Sequence, residues 1–387
     1  MRWIPDALFI VPLLHSGAGS SQDAQEAKPA SRPTITLRQA GSADLVGSDE
    51  RAIQAALGRL QSGGTLVLGP GRYVVRQPIY LPVDLVLRGE EGAVLALPAP
   101  VLSAQPAAAG GRELSLASPG EFLAPTRIQI APPVGTEFFA DGETRSLELQ
   151  QLERVEGTRL GLVEPFPFEI PAGSRVSYAN KLLLTAKEGR VTIENLGFDG
   201  GRLAEIPLQG HWQRCAIWAA SPFGYEEQRK SPPGRDVIVR HCRFSNWYGR
   251  AIALYNMTDC VVEGCVAEHV ADEAIDLDHF CERVHVVGND VQDATWGIVL
   301  NDASRSLIEY NRISGCDIGI YNWWFEKTPR QRINEENVIR HNVIRGPRQA
   351  AIHVGPTCER NLIELNYYEG EIVVAEPTNT VRDNTRL

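Results

Sequence analysis

The 387-residue chain lacks the features of a nucleic-acid binder: its net charge is −10 and aromatic residues make up 7% of it. Phosphate backbones call for a basic surface. It also lacks a long hydrophobic run. The stretch ALFIVPLL at residues 7–14 is far short of the roughly 20 apolar residues needed to span a bilayer. Cysteine is scarce and unbalanced, with seven residues, all after position 214. An odd number is incompatible with a fully bridged disulfide scaffold, and no Cys–His spacing has the zinc-binding form. Between Val237 and Tyr368 no segment carries a convincing helical period.

What that region has instead is a repeat of about 23 residues. Aligning VIVRHCRF, CVVEGCVA, HVVGNDVQ, LIEYNRIS, VIRHNVIR and LIELNYYE gives one column of Cys242, Cys265, Asn289, Asn311, Asn342 and Asn366, in steps of 23, 24, 22, 31 and 24 residues. A second column, nine or ten residues on, holds Ile252, Ile275, Ile298, Ile320 and Ile352. Each period contains short β-branched runs that alternate with period 2 between Gly, Asn or Asp. Such a period with stacked Asn and aliphatic ladders predicts a parallel β-helix, whose coils bury a continuous core only by stacking. Cys242 and Cys265 share the Asn column, where stacking would bring them close enough to bridge; they are read as buried thiols serving as small apolar residues, with a disulfide as the alternative.

The remaining segments follow from composition. Residues 1–19, with Arg2, a short apolar core and the small residues Gly17-Ala18-Gly19, read as a signal peptide, which implies a secreted or periplasmic protein. No Cys follows the apolar core to serve as a lipid anchor. Residues 20–43 read as a linker, rich in Ser, Gln, Ala, Glu and Pro up to residue 33. Residues 44–97 read as an amphipathic helix at 48–61, N-capped by Ser48 or Asp49, followed by the first coils. Ala52, Ile53, Ala56, Leu57 and Leu60 form its apolar face, and it is placed to lid the solenoid. Residues 98–180 read as a β-rich insert of short antiparallel strands, and 181–387 as the main β-helix. The predicted class is all-β.

Several of these segments carry a resemblance. Asp49-x-x-Ala52-Ile53-Gln54-x-Ala56, then Gly63-Gly64-Thr65-Leu66 running to Pro70-Gly71-x-Tyr73, then Leu87-Arg88-Gly89, resembles the pectin lyase-like superfamily of right-handed parallel β-helices over roughly residues 44–97 and 181–370. The resemblance implies the fold. The superfamily includes hydrolases, lyases, epimerases and non-catalytic members, so it leaves the reaction open.

Outward from the Ile ladder, strict alternation puts Trp218, Ala253, Asp276, Val299, Tyr321 and His353 in one column and Ala220, Tyr255, Asp278, Asn301 and Trp323 in the next. Asn256, His279, Asp302 and Trp324 lie beyond. Two long insertions, 221–235 and 322–335, leave the same strand and are placed to wall a groove.

The central string is ADEAIDLDHF, 271–280. Asp276 and Asp278 are expected on the outer face, with Asp272 and Glu273 in the turn before them and His279 after. Carboxylates this close push each other's pKa values apart, as acid and base roles require. A spacing of two along a strand, about 6.6 Å, admits an inverting glycosidase pair. Trp218, Tyr255, Trp296, Tyr321, Trp323 and Trp324 offer flat rings for pyranose faces. Arg250, Asn301, Asp302 and His353 complete the expected substrate wall.

Asp272-Glu273-Ala274-Ile275 is similar to the Asp-Asp-[Cys/Ala]-[Ile/Val] motif bearing the catalytic acids of polygalacturonase-type hydrolases. Arg250-Ala251-Ile252, Trp296-Gly297-Ile298 and Ile318-Gly319-Ile320-Tyr321 depart from the neighbouring motifs of that group. Asp276-Leu277-Asp278-His279 weakly resembles the Asp-Pro-His-Asp strand of alginate epimerases. Three functions are therefore open. The first is a glycoside hydrolase with Asp276, Asp278, Asp272, Glu273 and His279 as catalytic candidates and no cofactor. The second is a polysaccharide lyase or C5-epimerase with Ca²⁺ or Arg250 as neutraliser. The third is a non-catalytic carbohydrate-binding protein. All three take a polysaccharide or oligosaccharide partner.

Overall fold

The computed structural model describes residues 32–60, 63–133, 147–178, 181–186, 190–201, 214–221, 230–324 and 334–387. The predicted signal peptide lies outside them, as do most of the two wall loops, 222–229 and 325–333.

The repeat folds as stacked coils. A 12-stranded sheet, parallel throughout, runs from Leu45–Val46 and Thr34–Arg38 through Gly64–Leu68, Val237–Arg240 and Leu307–Glu309 to Thr380–Arg382. A 17-stranded sheet supplies the other faces of each coil, and two long strands, Val266–Asp278 and Asp290–Asn301, run through both of its ladders. Strands inside the solenoid find parallel partners in the coils before and after them, which removes open edges along it. The coils continue to Thr385–Arg386, beyond the limit of the recognisable repeat.

Thr34–Arg38 corrects one boundary. The linker was expected to extend to residue 43, but TITLR alternates, sends Ile35 and Leu37 into the core, and pairs with Gly64–Leu68. The helix is Glu50–Gly58; Asp49 is its N-cap, its side chain accepting from the Ala52 N–H at 3.1 Å. Ile53, Ala56 and Leu57 join the same core as the first coils.

From Val237–Arg240 onward, the corner after each strand of the 12-stranded sheet is a single left-handed residue followed by the Asn/Cys column. Tyr310, His341 and Leu365 have φ near +55° and immediately precede Asn311, Asn342 and Asn366. The column residue then satisfies backbone groups that so tight a corner leaves unpaired. Asn342 Oδ1 accepts from the Asn311 N–H at 3.0 Å and from its Nδ2 at 2.9 Å, while Asn342 Nδ2 donates to Ile308 O at 2.9 Å. The ladder extends to Asn384. A second one, Asn337–Asn361–Asn379, serves another corner and was not read from the repeat. The seven cysteines are buried thiols, Cys242 and Cys265 among them.

Residues 101–178 hold a separate six-stranded antiparallel sheet with its own core, including Leu114, Ile128, Leu152, Leu160 and Val176. Among the described residues no helix is long and apolar enough to cross a membrane.

Candidate active site

The site begins with a break in alternation. Ala251 and Ile252 both face the solenoid core, as do Ala274 and Ile275, Ala216 and Ile217, and Ala351 and Ile352. Two consecutive inward residues invert the parity of what precedes them. The residue before each pair therefore emerges on the same side as those after it, and Arg250 and Glu273 join the Asp276 face. The first member of the pair must be small: a Cβ on Gly319 would lie 2.6 Å from Ala351 O, and one on Gly297 would lie 2.4 Å from Gly319 O. Asp272 and Glu273, expected in a turn, are inside the strand Val266–Asp278, and the register irregularity between Val270 and Glu273 marks the corner.

The expected register is otherwise present. Trp218 pairs with Ala253, Ala253 with Asp276, Asp276 with Val299, Val299 with Tyr321 and Tyr321 with His353. In the next column Ala220 pairs with Tyr255, Tyr255 with Asp278, and Asn301 with Trp323.

Exposure differs from expectation. Asp276 is 0% exposed, Glu273 2% and Asp278 3%, with Asp272, Tyr255, Asn301 and Asp302 buried as well. Arg250, itself buried, gathers the carboxylates. Its Nε and Nη2 grip Glu273 as a fork at 2.8 and 3.1 Å. Its Nη1 lies 2.9 Å from Asp276 Oδ2, 3.2 Å from Asp278 Oδ2, and against the Tyr255 hydroxyl. Asp278 Oδ1 accepts from Asn301 Nδ2 at 2.7 Å and from the His279 N–H at 2.8 Å. His279 Nδ1 stands 3.0 Å from Asp278 Oδ1 and 3.8 Å from Asp302 Oδ2. His279, Asp302 and Asn256 occupy left-handed positions at successive coil ends, which places His279 and Asp302 at the rim of the face.

One guanidinium cannot neutralise this many carboxylates, so the cluster sorts them. Glu273 is held below the usual carboxylate range: burial pushes upward, but the Arg250 charge and fork outweigh it. Asp276 is pushed well above that range, first by burial and then by the charges of Asp278 and Glu273, despite Arg250. Neither Asp276 oxygen has a hydrogen-bond partner. For His279 burial pulls downward, but Asp278 and Asp302 raise it. Burial raises the Tyr255 hydroxyl well above its ordinary value.

Aromatic rings continue the face on both sides. Trp218 meets Tyr255 edge-on at 5.7 Å, and Tyr255 meets His279 at 5.5 Å. On the other side Trp296 contacts Tyr321 at 5.7 Å, Tyr321 stacks on Trp323 at 5.7 Å, and His353 lies 5.1 Å from Tyr321. Trp218, Trp296, Tyr321, Trp323 and His353 are half-buried and keep some ring surface open. Trp324, expected in the wall, packs against the solenoid core, because it falls at the coil end, past the outward columns. Cys215, Ala220 and Ala253 form a small apolar patch with Tyr255 and Trp218. Of these, Cys215 alone lay outside the outward columns read from the sequence. Among the described residues no group of three or more His, Cys, Asp or Glu side chains is arranged to hold a metal ion.

Residues 232–385 match the family model described as a right handed beta helix region. No curated protein matches the sequence. Among solved structures, the chain is similar to the DFA-IIIase of Arthrobacter chlorophenolicus A6, without its lid and in complex with GF2. That match is at 12% identity over 89% of this chain and 73% of that one, with a TM-score of 0.50. The polygalacturonase of Erwinia carotovora ssp. carotovora matches at 9% identity over 95% and 96%, TM-score 0.49. The surface protein and adhesin PfbA of Streptococcus pneumoniae matches at 11% over 88% and 93%, TM-score 0.42. At 12% identity the likeness to the DFA-IIIase is one of fold.

Proposed function

We propose that this right-handed parallel β-helix belongs to the pectin lyase-like superfamily and is a carbohydrate-active enzyme, a glycoside hydrolase acting on an oligo- or polysaccharide. The observation that carries the reading is Asp276. It is a wholly buried carboxyl, raised well above the usual range by burial, with no hydrogen bond on either oxygen, beside a second carboxylate on the same arginine nitrogen. A carboxyl whose pKa is raised is suited to protonating a leaving glycosidic oxygen. Buried polar atoms without partners are uncommon, and both oxygens of this one acid are among them.

In this reading Asp276 gives its proton to the leaving oxygen, and Asp278 is the partner carboxylate. Their Oδ2 atoms share Arg250 Nη1 at 2.9 and 3.2 Å. Those two oxygens therefore lie closer than the roughly 6.5–9.5 Å of an inverting pair, and the arrangement favours the retaining route. There Asp278 bonds to the anomeric carbon as the aglycone leaves with the Asp276 proton. Water, deprotonated by Asp276, then releases the sugar. Glu273 and Arg250 are positioning residues. Trp218 and Trp323 offer rings to sugar faces. Substrate reaches so buried a pair only if its surroundings part; His279, with 13% side-chain exposure, lies nearest to solvent among the cluster's charged groups. Segment 1–19 supports a secreted or periplasmic setting.

The second reading is a uronate lyase or C5-epimerase, favoured by the Tyr255 hydroxyl lying against Arg250. Burial raises that hydroxyl, which makes it a poor base, and Arg250 is already engaged by three carboxylates. A panel of neutral and acidic glycans, assayed for reducing ends and for unsaturated products with and without chelator, separates the readings. Chelator-insensitive reducing ends without unsaturation are expected. Unsaturated products favour the lyase, and binding without turnover of any glycan overturns the enzyme reading.

A further inference from the structure

Arginines in this chain are matched to acids with regularity. Arg88 and Arg240 both pair with Glu194, Arg283 with Asp259, Arg340 with Glu309, and buried Arg250 with three carboxylates. Two buried arginines break the pattern. Arg175, on the insert strand Arg175–Tyr178, and Arg214, just before the solenoid strand Cys215–Ala220, are 4% and 1% exposed. Their guanidinium carbons lie 4.4 and 5.6 Å from the centre of one ring, that of Tyr248.

Among the described residues neither has a carboxylate in ion-pair reach. Arg214 Nη2 donates to the Ser177 hydroxyl and to Tyr178 O at 3.2 Å. The Nε of both residues is buried with no hydrogen-bond partner. Arginine is seldom buried unless paired, and two like charges over one ring repel each other. Burial lowers the pKa of Arg175; for Arg214, burial and then the Arg175 charge bring it down to about 9. A purely mechanical tie between insert and solenoid has no need of cations, since apolar side chains of similar volume would pack there without the desolvation penalty. The planar donor fork suits an oxyanion.

The pair also lies beside the candidate active site. Arg214 O accepts from the Arg250 N–H at 2.8 Å and from Trp247 Nε1 at 3.0 Å, and Cys215 pairs with Arg250 in the next coil. A group bound between Arg175 and Arg214 would sit next to the strand edge that carries Arg250 and Glu273.

We propose that Arg175 and Arg214 form an anion site at the junction of insert and solenoid, taking the carboxylate or sulfate of an acidic glycan. That the anion belongs to a glycan rests on the hydrolase reading; the site itself does not.

The test is calorimetric titration of the full chain with glucuronate, glucose 6-sulfate and glucose at equal ionic strength, on wild type, Arg175→Met and Arg214→Met. Wild type is expected to bind at least one charged sugar about tenfold more tightly than glucose, and each variant to lose that preference while its weak glucose binding stays unchanged. Preference for glucuronate alone identifies a uronate, and preference for the sulfate alone a sulfated sugar. The wild-type comparison needs no variant: equal affinity for all three sugars overturns the site, as does a preference that survives both substitutions. Charge preference without turnover of any glycan leaves the anion site standing and removes the hydrolase reading; turnover without charge preference does the reverse.

Discussion

Arg250 Nη1 lies 2.9 Å from Asp276 Oδ2, yet Asp276 accepts no hydrogen bond on either oxygen. The donors of Arg250 are directed at Glu273, Asp278 and Tyr255. Asp276 thus feels the charge of the arginine without the directed bond that would hold it ionised. That asymmetry separates it from Glu273, three residues earlier on the same strand.

The two acids should leave opposite signatures on stability. The folded pKa of Asp276 is raised, so its contribution is present below the unfolded value of about 3.9 and is lost as pH climbs through the folded value. The folded pKa of Glu273 is lowered, so its contribution is present above about 4.3 and is lost as pH falls through the folded value. Urea midpoints across pH should show Asp276→Asn gaining on wild type as pH rises. Glu273→Gln should lose most at neutral pH and converge with wild type in acid. Parallel profiles for the two variants would contradict this sorting.

Arg250 should tolerate no shortening of its fork. Removing one partner of a buried ion pair costs about 3–5 kcal/mol, because the other charges stay buried and uncompensated. Arg250→Met is expected to cost at least that much in urea denaturation. Arg250→Lys keeps the charge but not the bidentate grip on Glu273, and should fall between Arg250→Met and wild type. A neutral effect for both would mean that the carboxylates are solvated.

The Asn ladder should behave as a structural element distant from the chemistry. Asn342→Ala leaves the buried Asn311 N–H and Ile308 O without their side-chain partners, at about 1–3 kcal/mol for each group left unpaired. Glycan turnover below the melting transition should be unchanged, which a rate assay alongside a denaturation curve checks.

Much of the register was legible because Ile252, Ile275, Ile298 and Ile320 recur at coil spacing and point inward, which settles the columns holding Asp276 and Tyr255. The corner pair was visible as Ala or Gly before each Ile, but strict alternation does not describe two inward residues in succession. Glu273 was therefore assigned to a turn. The gathering of the acids was not legible, because it depends on Arg250 reaching across coils to carboxylates 23 to 28 residues away in sequence. The Arg175–Arg214 pair left no local signal, since it joins an insert strand to a coil 39 positions later. Thr34–Arg38 was missed because the Pro- and Ser-rich stretch before it masked five alternating residues.

The most direct measurement of the central claim is turnover of the best glycan substrate by wild type and by Asp276→Asn, with circular dichroism confirming equal folding. Loss of a general acid should lower the rate by about 10²–10⁴. It should do so without the loss of stability that a broken ion pair brings, because the amide replaces a carboxyl whose pKa burial pushes well above the usual range. A rate equal to wild type in a folded Asp276→Asn protein would contradict the assignment of Asp276 as the acid.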